Sequence, residues 1–322
     1  MPSSDHTTPC LRHRLEYAAI LAVEFLFRAL PMRLCRLSAT GLARLAFHVV
    51  RWRRREALRR IREVFPDIAP KEARRIAFRS LQTILLNAAE LMHLRGVDDA
   101  WIAANIENCP VAMEKLRAIV AQSGIILALP HFGNWDLAGI VVAHHGMPIF
   151  SIAGVQHNPL TNDWINRKRA TGITILNRGS TALRQIVKRL KDHEVFAILP
   201  DVRMKTPDLE VPFLGATANI GRGMAAFARK TGSPILVADV RRLNDGRHFL
   251  DLKEPIAPNP SLDDEADITR MTCAAMAAVE KQIRSDPGQW FWYNKRWVLE
   301  PIEKRPFAQV CATPARPPEC KT

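Results

Sequence analysis

Several common signatures are missing from this chain. It has no closely spaced cysteine pair, no phosphate-cradling glycine loop, and no uninterrupted apolar run of the ~20 residues that a membrane-spanning helix needs. Cys10, Cys35, Cys109, Cys273, Cys311 and Cys320 are scattered, which argues against a thiolate metal clip and reads as reduced cytosolic thiols. The absence of both the Walker loop and the dinucleotide glycine fingerprint argues against an NTPase or a nicotinamide enzyme. Gly-x-Ser-x-Gly is absent too, which disfavours a serine-bound covalent intermediate. His48, His93, His157, His193 and His248 show no ligand spacing, and His144 and His145, adjacent on a helix, point different ways. Neither a metal nor another cofactor is expected. No internal repeat or low-complexity tract is visible.

Positive charge, by contrast, is in excess. A net charge of +14 and a pI near 10.0 point to a polyanionic partner, whether nucleic acid, an anionic membrane or an acidic carrier protein. With 322 residues, 48% of them hydrophobic, the chain can bury a large core in one domain with or without an appendage. Residues 1–14 read as a disordered polar tail, 15–95 as a helical basic region that associates with membrane, 96–300 as the α/β domain, and 301–322 as a C-terminal tail.

The N-terminal region supplies the two elements of that expectation. Leu15 to Leu30 is mostly apolar but carries Glu16, Glu24 and Arg28, so it reads as a helix lying in a membrane interface or docked on the core. Glu24 and Arg28 are four apart and can pair on one face, and no cleavage site of a secretory signal follows. Arg51 to Arg62 then holds seven arginines in twelve residues. Such a run is either a solvated helix face or a surface for anionic headgroups, and no nucleic-acid motif accompanies it. A helical pattern follows from about Pro70 to Leu94, with Ile76, Leu81, Ile84, Leu85, Ala88 and Leu91 on the expected core face.

The organising stretch is His131-Phe132-Gly133-Asn134-Trp135-Asp136. It follows the apolar run Gly124 to Pro130, of buried-strand length, and precedes helix-forming residues from Leu137 to Ala143. That places it at the carboxyl end of a strand, where open α/β sheets put their sites. His131 and Asp136 can meet across such a turn, the carboxylate fixing the imidazole tautomer for proton abstraction. The plainer reading is that Asn134 caps the helix and Asp136 lies in its first turn. Strands and helices alternate afterwards, including a strand over 195–199 that ends at Pro200-Asp201 and a hairpin across Asn244-Asp245-Gly246. The expected fold is α/β: one catalytic domain with a central, largely parallel or mixed sheet flanked by helices, plus the N-terminal helical segment.

The string His-x-Gly-Asn-Trp-acid in this setting resembles the signature of the lipid A biosynthesis lauroyl and myristoyl acyltransferases, within the lysophospholipid acyltransferase-like superfamily; many relatives carry Glu at the position of Asp136. Leu199-Pro200-Asp201 with Val211-Pro212-Phe213-Leu214-Gly215 is a second match, although Asp201 equally suits a loop cap. Pro287 to Trp297 is a third, with Asn294 where histidine is usual. Its five aromatics in eight residues also read as core against the sheet edge.

The resemblance implies an acyltransferase in which His131 is the general base and Asp136 orients it. Arg167, Arg169, Arg178, Asp201, Asn134 and Trp135 are its candidate substrate-binding residues. It implies acyl carrier protein as thioester donor, with coenzyme A the other carrier to test, and a phosphorylated glycolipid as acceptor. It also implies an anionic membrane surface as partner, and the cytoplasmic face of a cell inner membrane as location. No nucleic acid is expected. Two alternatives stay open: the same chemistry on a mannosylated phosphoinositide or lysophospholipid, and a non-catalytic membrane- or nucleic-acid-binding protein that keeps the fold.

Overall fold

The computed structural model describes residues 9–94, 96–152, 158–169, 172–176, 179 and 181–300, with the side chain of Arg169 excepted. Helix α1 (Leu11–Ala29) is followed by α2 (Met32–Arg44), which runs into a π-helical turn, Leu45–Val50. Then come α3 (Arg54–Val64), α4 (Pro70–His93), α5 (Asp99–Asn105), β1 (Ile106–Glu107) and α6 (Cys109–Val120). The alternating part comprises β2 (Ile125–Ala128), α7 (Trp135–His144), β3 (Ile149–Ile152), α8 (Pro159–Arg169), β4 (Ile173–Leu176), α9 (Ala182–Lys191) and β5 (Val195–Ile198). A hairpin of β6 (Leu209–Phe213) and β7 (Ala216–Ile220) stands apart from the main sheet. The chain closes with α10 (Gly223–Thr231), β8 (Ile235–Arg242), β9 (His248–Leu252) and α11 (Asp264–Ser285).

Among the described residues the main sheet runs β1-β9-β8-β2-β5-β3-β4. Its pairings are parallel except β8 with β9, so the sheet is mixed, as the alternation predicts. β2 is central and all four of its residues are buried, which explains its unbroken apolar sequence. The turn at Asn244-Asp245-Gly246 joins β8 to β9, with Gly246 at φ 87°.

The basic N-terminal region shares a core with the sheet: Phe47, Ile61, Ile76 and Leu81 belong to the same buried cluster as Ile126, Phe132 and Trp290. Three of the clustered arginines, Arg53, Arg54 and Arg60, therefore face inward, Arg54 donating to the Phe47 carbonyl at 3.3 Å. Arg60 is buried, donates to the carbonyls of Trp292 and Asn294 at 2.8 Å each, and lies 4.9 Å from the Trp297 ring centroid. Burial, with Arg53 and Arg59 nearby, pulls its guanidinium down to about 10. Arg53 donates to the Tyr293 carbonyl at 3.0 Å. Arg51, Arg55, Arg59 and Arg62 remain exposed.

Helix α1 docks by one face. Glu24 is buried, accepts from Trp164 Nε1 at 2.5 Å and pairs with Lys168 of α8 and Arg28 of its own helix. The opposite face leaves Leu15, Phe25 and Leu26 exposed. No helix among the described residues is long and apolar enough to cross a membrane.

Candidate active site

Register builds the site. β2 and β5 are parallel neighbours, paired from Ile125 with Val195 to Ala128 with Ile198. Both strands leave the sheet through Leu-Pro, Leu129-Pro130 and Leu199-Pro200, and the Leu129 N–H still bonds the Ile198 carbonyl at 2.8 Å. The next residues, His131 and Asp201, therefore arrive side by side at the carboxyl edge. His131 Nδ1 lies 2.8 Å from Asp201 Oδ1, and the His131 backbone N–H donates to Oδ2 at 2.8 Å. Trp290 Nε1 donates to the same Oδ2 at 2.7 Å. From the sequence Asp136 is expected to orient the ring, and at Nδ1 strand register sets Asp201, seventy positions away.

Asp201 is buried. Burial alone would raise its pKa, but attraction to the His131 ring and the hydrogen bonds from His131 and Trp290 hold the carboxyl below the usual carboxylate range. The His131 side chain keeps 21% exposure, and its ring meets Trp135 edge-on with centroids 5.1 Å apart. With Nδ1 on Asp201, Nε2 is the nitrogen left to take a substrate proton.

The turn after His131 is held tightly. Gly133 has φ 58°, and a Cβ there would lie 1.4 Å from the Val240 carbonyl oxygen. Its N–H donates to the Gln289 carbonyl at 3.1 Å, and Phe291 N–H donates to the His131 carbonyl at 3.0 Å. The aromatic segment is thus buried, as composition suggests, and it also runs along the motif.

Helix α4 supports the turn from behind through a polar stripe. Ser80 donates to the Trp290 carbonyl at 2.5 Å, and Asn87 Nδ2 to the Gly133 carbonyl at 2.6 Å. Glu90 accepts from Asn134 Nδ2 at 2.9 Å. Of the expected core face of α4, Ile76 and Leu81 are buried, but farther along Thr83, Asn87 and Glu90 are buried while Ile84, Leu85, Ala88 and Leu91 are half-buried. The irregular backbone that α4 covers needs donors and acceptors, which leucines cannot supply.

The other candidates separate. Asn134 is buried and caps α7, its Oδ1 accepting from Leu137 N–H at 3.2 Å, so both ends of its amide are engaged within the fold. Asp136 lies half-buried in the first turn of α7. Arg167 is exposed and donates to Tyr17 Oη at 3.0 Å. The Arg169 side chain and the whole of Arg178 lie outside the described residues. A cleft of about 640 Å³ opens between α1, α4, α7 and α8, walled by Leu21, Leu91, Leu94, Ile140 and Trp164, with Arg28 and Lys168 at its polar side.

A family model described as bacterial lipid A biosynthesis acyltransferase matches residues 5–298. The phosphatidylinositol mannoside acyltransferase of Mycobacterium tuberculosis is 25% identical over 222 residues, covering 67% of this chain and 68% of that protein. A lipid A biosynthesis acyltransferase of Haemophilus influenzae is 24% identical over 288 residues, covering 86% and 88%.

Proposed function

This chain belongs to the bacterial lipid A biosynthesis acyltransferase family and is an acyltransferase, and we propose that it moves a fatty acyl chain from a thioester to a hydroxyl of a phosphorylated, acylated glycolipid. The observation that carries the mechanism is the hydrogen bond from His131 Nδ1 to Asp201 at the ends of adjacent strands. His131 Nε2 takes the proton of the acceptor hydroxyl, and the oxygen attacks the thioester carbonyl carbon. The tetrahedral intermediate collapses, the C–S bond breaks, and the imidazolium returns the proton to the leaving thiolate. Asp201 stays ionised and stabilises the imidazolium. The positive end of α7, which starts beside the His131 ring, favours the developing oxyanion. Asp136 adds a second carboxylate near the base, and Arg167, Arg169 and Arg178 are the guanidinium groups assigned to the acceptor's acidic groups.

The resemblance selects acyl carrier protein as donor, and a net charge of +14 suits that acidic protein as it also suits the phosphates of coenzyme A. The cleft between α1 and α8 is within the range of about 300–1,000 Å³ that ligand sites use, and its apolar walls suit an alkyl chain. Exposed leucines on α1 and the exposed arginines of α3 suit attachment to the cytoplasmic face of an inner membrane.

The relatives act on two glycolipid classes by their names, so the acceptor is tested directly. Purified protein is given dodecanoyl thioesters of acyl carrier protein and of coenzyme A. Each is paired with an under-acylated phosphorylated glucosamine disaccharide and with a phosphatidylinositol mannoside, and products are read by mass spectrometry. Transfer to the disaccharide from the carrier protein is the expected result. Transfer to the mannoside alone selects the alternative acceptor, and transfer to neither, with intact folded protein, overturns the proposal.

A further inference from the structure

The Glu90 carboxylate has more partners than a structural ion pair needs. It is buried on α4 and receives Arg242 at both oxygens, through Nη2 at 2.8 Å on Oε2 and through Nη1 on Oε1. Arg36 Nη2 lies 3.3 Å from Oε1, His248 Nε2 lies 3.2 Å from Oε2, and Asn134 Nδ2 donates to Oε2 at 2.9 Å. Arg242 also donates to Asn87 Oδ1 at 2.8 Å, and Asn87 in turn holds the Gly133 carbonyl. The cluster therefore grips two consecutive residues of the turn that follows His131. Asn134 transmits the grip: one end of its amide is fixed by Glu90 and the other caps α7. The first residue of α7 is Trp135, whose ring edge sets one side of the His131 imidazole.

We propose that Glu90 is a positioning residue for acyl transfer, acting through Asn134 to fix the start of α7 and with it the His131 ring. The inference rests on His131 being the base. A carboxylate is required because Arg242 donates to both oxygens, with Arg36 sharing Oε1 and Asn134 sharing Oε2. A glutamine must turn its NH₂ either toward Asn134 and Arg242 Nη2, which loses the bond to the turn directly, or toward Arg36 and Arg242 Nη1, where donor faces donor and the guanidinium fork that fixes the carboxyl end is broken. The loss falls on geometry, and geometry limits the rate of proton transfer more than it limits substrate affinity.

The experiment is a double-mutant cycle of Glu90→Gln and Asn134→Ala, with thiol release measured from whichever dodecanoyl thioester, of acyl carrier protein or of coenzyme A, the wild-type protein turns over, with water and with glycolipid as acyl acceptor. His131→Ala is run beside it. Glu90→Gln should lower kcat by roughly 10- to 100-fold with KM changed less than about threefold. In the Asn134→Ala background the same substitution should cost no more than about twofold further, because the link is already cut. Equal losses in both backgrounds, or a kcat for Glu90→Gln within about twofold of wild type, overturn the proposal. Should Glu90→Gln not fold, Glu90→Gln with Arg242→Gln removes both buried charges and takes its place in the cycle. If that pair also fails to fold, Glu90 is structural and the proposal fails. Retained turnover in His131→Ala would instead sink the base assignment on which the inference rests.

Discussion

Trp290 donates its indole N–H to the Asp201 oxygen that also accepts the His131 backbone N–H, at 2.7 and 2.8 Å. With that oxygen held twice, the other is aimed at His131 Nδ1. Trp290 thus links the third sequence match to the first by holding the carboxylate that, in the proposed mechanism, orients the base. Trp290→Phe keeps most of the packing and deletes the donor. A hydrogen bond to a charged group is worth about 1.5–3 kcal/mol, so kcat should fall about tenfold with little change in KM. Steady-state kinetics check this, and an unchanged kcat would show that burial alone fixes Asp201.

The two acids should separate cleanly. Asp201→Asn leaves the geometry nearly intact but reverses the preferred tautomer of His131, so kcat should fall by roughly 10³- to 10⁴-fold. Asp136→Asn, in the first turn of α7, should fall by about tenfold, because the second carboxylate near the base no longer helps to stabilise the imidazolium that forms at His131. His131→Ala should show no transfer above background. If Asp136→Asn proves the more damaging of the two acid variants, the pairing at Nδ1 is not the one used in turnover.

How much of this was legible in the sequence follows from how local each signal is. The strand, turn and helix around His131 are contiguous, and their pattern alone places them at a sheet edge. Asp201 is legible as a strand-end acid, but its partnership depends on β2 and β5 being neighbours, which strand order decides and local pattern does not. Glu90 was missed because a helix is read by its apolar periodicity. The signal was nevertheless present: Ser80, Thr83, Asn87 and Glu90 are spaced three, four and three apart, a polar stripe on one face. Arg60 illustrates the opposite error, a charge in a basic run that burial against carbonyls and Trp297 turns into core.

Gly133→Ala should yield no folded, active protein. The left-handed φ of 58° disfavours alanine, and the added carbon would sit 1.4 Å from the Val240 oxygen. Relief requires moving β8 away from the motif, which is a core displacement and places the variant beyond about 4 kcal/mol of destabilisation. Soluble expression and thermal unfolding test it; a variant within about 1 kcal/mol of wild type would mean that the turn is free to move.

His248 should give stability a pH dependence. Burial, more than the opposing pull of Glu90, lowers its pKa, so the folded chain keeps this imidazole neutral at pH values where the unfolded chain, with a pKa near ~6.5, binds a proton. The unfolded state then takes up more protons as pH falls. His248 thus contributes stability that is present above about pH 6.5 and declines below it, by at most ~1.4 kcal/mol per pH unit. Unfolding of wild type and His248→Gln between about pH 5 and 8 should show a shallower acid decline in the variant. Parallel curves would refute the assignment.

Membrane attachment should have two separable parts, and the fold says which residues belong to each. On the apolar side, α1 leaves Leu15, Phe25 and Leu26 exposed, and the π-helical turn leaves Val49 and Val50 exposed beside Trp52. On the basic side, Arg55, Arg59 and Arg62 are four and three apart on α3, so they share a face, and Arg51 stands just before it. Each exposed basic side chain near an anionic surface contributes about 1 kcal/mol, screened within ~8 Å at physiological salt. Either part alone should be marginal, and together they should give firm binding. Arg53 and Arg60 must be spared in the test, because they hold the carbonyls of Tyr293, Trp292 and Asn294. Vesicle flotation of wild type should rise with anionic lipid and weaken, without vanishing, in high salt. Replacing Arg51, Arg55, Arg59 and Arg62 by glutamine should remove most of the salt dependence and leave weak binding. Replacing Leu15, Phe25, Leu26, Val49 and Val50 by serine should leave a protein that high salt releases completely. Equal flotation with neutral and anionic vesicles at every salt would eliminate the electrostatic part. A wild-type chain that never floats would assign the exposed arginines to another anion, with acidic acyl carrier protein the first to test.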